Sequence, residues 1–175
     1  MTIFGKKATA LIEFALVVPV LMLILTAGYE SFQYVNLNTR LNTIASKVAN
    51  WVSSDITMAN IQDCFIGARL LGQADDFAKN GTVVVSGISA SKSGANPVLA
   101  WQVKNSATSS IVVKRNDQSV TSAPFALAAQ PQTIVVEVTY NYVPFFSSLS
   151  GVFPSITLYK TAQTVPQNTS QFNSF

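Results

Sequence analysis

Eight carboxylates, one thiol and no histidine are the groups with which this chain of 175 residues could do chemistry. Without histidine there is no Ser-His-Asp triad, no imidazole base and no imidazole ligand for a metal. The single thiol, Cys64, excludes an internal disulfide and a CxxC metal knuckle. It also lacks a histidine partner that would activate it as a nucleophile. The carboxylates are Glu13, Glu30, Asp55, Asp63, Asp75, Asp76, Asp117 and Glu137. Only Asp75 and Asp76 are adjacent, and neighbours on a helix point in different directions. Gly87 and Gly94 open no phosphate loop, because no Lys-Ser/Thr pair follows them. The 11 Lys and Arg leave a formal charge of +3, too little and too scattered for a nucleic-acid footprint. These residue types argue against an enzyme, a cofactor, a metal and a nucleic-acid partner. One acid stands out by position: Glu13 is the only ionisable residue between Ala8 and Gly28.

The element that must hold Glu13 is strongly apolar. The chain is 49% hydrophobic and only 11% charged, whereas a soluble domain carries about a quarter charged residues. The run FALVVPVLMLILTAG, from Phe14 to Gly28, explains much of that difference. Together with residues 9–13 it reaches the ~20 residues a helix needs to cross a bilayer. Lys6 and Lys7 precede it, and the next basic residue is Arg40. The positive-inside rule then places residues 1–7 in the cytoplasm and everything beyond Gly28 across the membrane. A secretory signal peptide cut near Ala27 reads from the same stretch. Against it stand Leu25, bulky where a small residue is wanted, and Glu13, which costs roughly 2.5–3.5 kcal/mol inside an apolar core. A retained membrane helix is the other reading. Its carboxylate then has a function and needs a partner, or snorkels to the headgroups from near the boundary.

Beyond Gly28 no Gly or Pro appears until Gly67. Leu37, Leu41, Ile44, Val48, Trp51 and Val52 recur at spacings of three and four, which predicts an amphipathic helix. With no stop signal before it, this helix continues the membrane segment, and residues 9–52 would span roughly 65 Å. Ser53-Ser54-Asp55 reads as a break with a new N-cap. A second helix is expected from Asp55 or Ile56 to Lys79, with Ile61, Phe65 and Ala68 as its apolar stripe and Asn80-Gly81 as its C-cap. Cys64 falls beside that stripe. The clearest strand is 133–143, with Ile134, Val136, Val138, Tyr140 and Tyr142 on one face and mostly polar residues on the other. Further strands are expected over 82–88, 98–104, 111–115 and 155–164. The turn-rich connections between them favour an antiparallel sheet.

The stretch Lys6-Lys7-Ala8-Thr9-Ala10-Leu11-Ile12-Glu13-Phe14 resembles the class III signal of type IV pilins. The wider string A-x-x-E-F-A-L-x-x-P, from Ala10 to Pro19, resembles the TadE-like minor pilins of tight-adherence (Tad or Flp) pili. So does the strand pattern V-x-V-x-Y-x-Y-x-P that ends at Pro144, followed by a final strand at 156–162. The resemblance implies a leader ending at Ala8, cut by a prepilin peptidase to leave Thr9 as the new N-terminus. Ala8 departs from the Gly usual at that position. The resemblance further implies that Glu13, fifth in the mature chain, pairs with the new α-amino group of a neighbouring subunit, and that Pro19 bends the helix. Implied partners are the peptidase, a major Flp-type pilin, other minor pilins, and indirectly an inner-membrane platform and an assembly ATPase. The middle of the chain, about 79–130, resembles nothing named.

The expected fold is therefore α+β and pilin-like. A leader (1–8) precedes a membrane and spine helix (9–52). A second helix (53–80), an antiparallel β-rich head (81–165) and a loose tail (166–175) follow. The expected function is a minor pilin or pseudopilin needed to assemble or prime a tight-adherence pilus. It would sit in a bacterial inner membrane with its head periplasmic, and pass from there into the extracellular pilus. Three other readings stay open: a type II secretion pseudopilin, an uncut single-pass membrane protein with a periplasmic binding domain, and a secreted β-rich adhesin. Phe145, Phe146, Phe153, Phe172 and Phe175 could form an adhesive patch or pack in a core or interface.

Overall fold

A computed structural model of the chain describes residues 3–72, 74–89, 98–106, 109–114, 132–145, 154–168 and 170. Among the described residues three helices precede five strands: α1 (Ile3–Ser54), α2 (Met58–Leu71), α3 (Ala74–Asn80), β1 (Gly81–Ser89), β2 (Val98–Ser106), β3 (Ser109–Lys114), β4 (Gln132–Tyr142) and β5 (Ile156–Thr164). The α+β layout expected from the sequence is the one found. The expected connections at 90–97, 115–131 and 146–153, the tail from 171 onward, and Phe146, Phe153, Phe172 and Phe175 lie outside the described residues. The chain forms two compact units, one of Met1–Leu37 with Val143–Ser155, the other of Asn38–Tyr142 with Ile156–Phe175.

In the first unit, α1 is apolar on every side. Its large apolar side chains from Leu11 to Leu25 stand exposed, apart from half-buried Val18. An all-round apolar helix with no protein cover is built for lipid. The helix satisfies its own polar groups: the Thr26 hydroxyl donates to the Met22 carbonyl and the Ser31 hydroxyl to the Ala27 carbonyl, each at 2.7 Å. In a medium without water such back-bonding removes the penalty of an unsatisfied hydroxyl.

In the second unit, α1 buries Leu41, Ile44, Ala45, Val48, Ala49 and Val52, the stripe the spacing predicts. Trp51 departs from it at 39% exposed. Its ring lies on Gly67 of α2 instead, so close that a Cβ there would come within 2.8 Å. The serines close α1 at the expected break. Ser53 and Ser54 donate to the Asn50 and Trp51 carbonyls, each at 2.8 Å, covering two of the carbonyls a helix end leaves open. The cap of α2 is Thr57 rather than Asp55: its side chain accepts from the Asn60 N–H at 3.3 Å.

The single helix expected up to Lys79 is two. Gly72 ends α2 by donating its N–H to the Ala68 carbonyl at 3.0 Å, and α3 starts at Ala74. The cause is packing. The Phe77 ring presses on Gly72, where a Cβ would meet it at 2.5 Å, and on Gly81, where one would meet it at 2.7 Å. The ring also stacks on Tyr140, centroids 6.1 Å apart. A continuous helix would hold Phe77 on the same rod as Gly72 and could not fold the ring back on it.

The sheet is fully antiparallel, in the order β3-β2-β1-β4-β5. Central strands bury both faces over part of their length. In β4, Thr133, Ile134, Val135 and Val136 are all buried, so the outward face expected at Val135 exists only from Glu137 onward. Across β1 and β2, Gly87 pairs with Trp101 beside a bulge, and Gln102 donates to the buried Ser86 hydroxyl at 3.0 Å. The first residues of the expected tail are held in place. Pro166 is buried and the Gln167 N–H donates to the Ser53 carbonyl at 2.9 Å.

Candidate functional site

The residues singled out from the sequence all fall on α1, which is helical from Ile3 onward. Lys6, Lys7, Ala8, Thr9, Glu13 and Pro19 thus share one rod, and the backbone at Ala8 and Thr9 is helical. Thr9 and Glu13 are four residues apart, one turn, so they lie on the same side about 6 Å apart along the axis. Both side chains are exposed. Pro19 lies inside the helix and α1 continues through it. Its ring removes one backbone donor and leaves the carbonyl of Ala15 without its usual helical partner. Among the described residues, the most apolar window of α1 has a mean hydropathy of 2.5, enough to cross a membrane, and none of it is buried in protein. What the arrangement offers is one acid, at fixed depth, on a surface with no protein cover. An amine from a second chain could reach that acid laterally.

Other groups offer less. Burial, helped by the negative charges of Asp63 and Asp55, pushes the Cys64 thiol up to about 11. The thiol donates to the Asn60 side-chain oxygen, Oδ1, at 3.9 Å. A thiol held protonated at neutral pH is a structural one. On the sheet, the Tyr159 hydroxyl donates to the Glu137 carboxylate at 2.5 Å. Partial burial, that hydrogen bond and the carboxylate's charge together push Tyr159 up to about 12. A cleft in the second unit is lined by Phe65, Arg69, Phe77 and Asn105 among others. Among the described residues no cluster of three or more acids or thiols could hold a metal ion.

Two features were not read from the sequence. Glu30 is buried at 5% exposure. The signal was present: Glu30 lies two turns before Leu37 on the line that runs on through Leu41, Ile44 and Val48. The Gly87–Trp101 pair was not legible, because cross-strand register is set by partners distant in sequence.

A family model described as "TadE-like protein" matches residues 8–50. No curated protein and no solved structure matches the chain. The matched stretch begins at the residue expected to end the leader and holds the whole apolar run. It covers none of the sheet. Over residues 8–50 the chain is similar to the TadE-like proteins.

Proposed function

We propose that the chain is a minor pilin of a tight-adherence pilus. It inserts with Lys6 and Lys7 on the cytoplasmic side, is cut after Ala8 by a prepilin peptidase, and enters or primes the fibre through its apolar helix. The observation that carries this reading is Glu13, one turn from Thr9 in an exposed apolar helix that matches the TadE-like family. Cleavage would give Thr9 an α-amino group with a pKa near 8, mostly protonated at neutral pH. When helices pack side by side, that amine and a neighbour's Glu13 neutralise each other. A buried pair adds little net stability, but an unpaired buried charge is strongly penalised, so the pair fixes the axial register of the subunits. The chain does no chemistry of its own in this scheme; the peptidase cuts it. Its partners are then the major Flp-type pilin, the other minor pilins and, indirectly, the platform and the assembly ATPase.

Cells lacking the chain should make few or no fibres. Tagged chain should co-purify with the short major pilin from sheared pili or from the inner membrane. Normal fibre number in the deletion, or recovery only with a secretion-system apparatus, would contradict the assignment.

A further inference from the structure

The connection between β4 and β5 differs in composition from the connections at 90–97, which carries Lys92, and at 115–131, which carries Arg115 and Asp117. From Val143 to Ser155 it carries no ionisable residue. This stretch belongs to the same compact unit as Met1–Leu37, although the two strands it joins belong to the other. Within that unit the Phe145 ring sits edge-on to Tyr29, centroids 6.2 Å apart and planes at 70°. Phe145 nonetheless stays 75% exposed and Val143 52%.

The depth of this contact follows from the helix. Starting at Thr9, about 20 residues cover the ~30 Å hydrocarbon core. That count ends at Gly28, so Tyr29 stands at the far headgroup level. Aromatic rings favour this level, being apolar in body and, for Tyr, polar at one end. Phe32, one turn on, is also exposed, at 66%. Any medium that surrounds α1 at Tyr29 therefore also meets the open side of Phe145. That medium is continuous with what faces the exposed apolar run from Leu11 to Leu25.

We propose that Tyr29, Phe32, Val143 and Phe145 form a membrane-interface anchor, in which the β4–β5 connection returns to α1 and presents Phe145 to the lipid of the leaflet on the head's side. The anchor rests on α1 spanning the bilayer. Its occupant is phospholipid at the glycerol and upper acyl level. A neighbouring pilin subunit would want matched shapes or charges, and this patch offers no charge with which to match one.

The test uses the full chain in phospholipid nanodiscs, with Cys64→Ser removing the native thiol. A nitroxide label at Val143→Cys is compared with labels at Leu25→Cys and Val165→Cys. Collision with dissolved oxygen reports lipid, and collision with a water-soluble nickel chelate reports water. The expected oxygen-to-nickel ratio at 143 lies between the two references and several-fold above that at 165. A ratio equal to that at 165 overturns the anchor. So does protection from both reagents, which would mean a protein partner covers the patch. If Leu25 itself reads as aqueous, the membrane span has failed and the anchor falls with it. Should Val143→Cys not insert, the label at Phe145→Cys gives the same three readings.

Discussion

Glu13 carries a charge where charge is costly, so its removal separates insertion from assembly. Glu13→Ala lifts a penalty of roughly 2.5–3.5 kcal/mol on entering the membrane. Membrane-bound protein should therefore be undiminished while fibre number falls several-fold, read by immunoblot of membranes and counts of sheared pili. Wild-type fibre number would remove the charge-pairing role. Cys64 makes a second residue-level prediction. Its thiol is pushed up to about 11 by burial and the charges of Asp63 and Asp55, so at pH 9 the folded chain should resist alkylation that goes to completion in denaturant. Full labelling without denaturant would contradict its buried setting. Tyr159 gives the pH dependence of the sheet surface. Its folded value of about 12 exceeds the ordinary 10, so the bond to Glu137 contributes fully below pH 10 and is lost as pH rises toward 12. In a tyrosinate absorbance titration, Glu137→Gln should lower the pH at which Tyr159 ionises from about 12, seen as a difference between the variant and parent curves. An unchanged titration in that variant would mean Glu137 has no hold on the hydroxyl.

Two glycines make contrasting predictions at the scale of elements. Gly87 faces the buried indole of Trp101 on the paired strand, where a Cβ would come within 2.3 Å of a ring that has nowhere to go. Gly87→Ala should cost about 1–3 kcal/mol by overpacking, seen as a lower thermal midpoint in detergent. Gly67 faces the outer edge of Trp51, which is partly exposed and free to swing. There the gain in helix propensity, about 0.5–1 kcal/mol, should offset the shift, leaving Gly67→Ala neutral or stabilised. Equal losses at both would mean Trp51 is as fixed as Trp101. The elements themselves were largely legible. Period-four spacing marked α1 and the Ile61, Phe65 and Ala68 stripe, and period-two alternation marked β4. All five strands were expected, with ends within a few residues of those found. The misses share a cause. The split at Gly72 is decided by the packing of the Phe77 ring, the outlying Trp51 by its seat on Gly67 of another helix, and the burial of Val135 by the central place of β4 in the sheet, none of which local periodicity encodes.

For the whole molecule, the candidate site was more legible than the head, because it lies within one helix. A run of apolar residues, two lysines before it and an acid at fixed spacing are all local features. The family match ends before the head, and the head's sheet order follows from pairing between strands far apart in sequence. Assembly as a pilin therefore turns on what happens at the start of α1. N-terminal mass spectrometry of the chain recovered from assembled fibres decides it. The account requires a mature chain that begins at Thr9, with its new amine one turn from Glu13. A chain in the fibre still beginning at Met1, or one beginning near Gly28 without the apolar run, would contradict it.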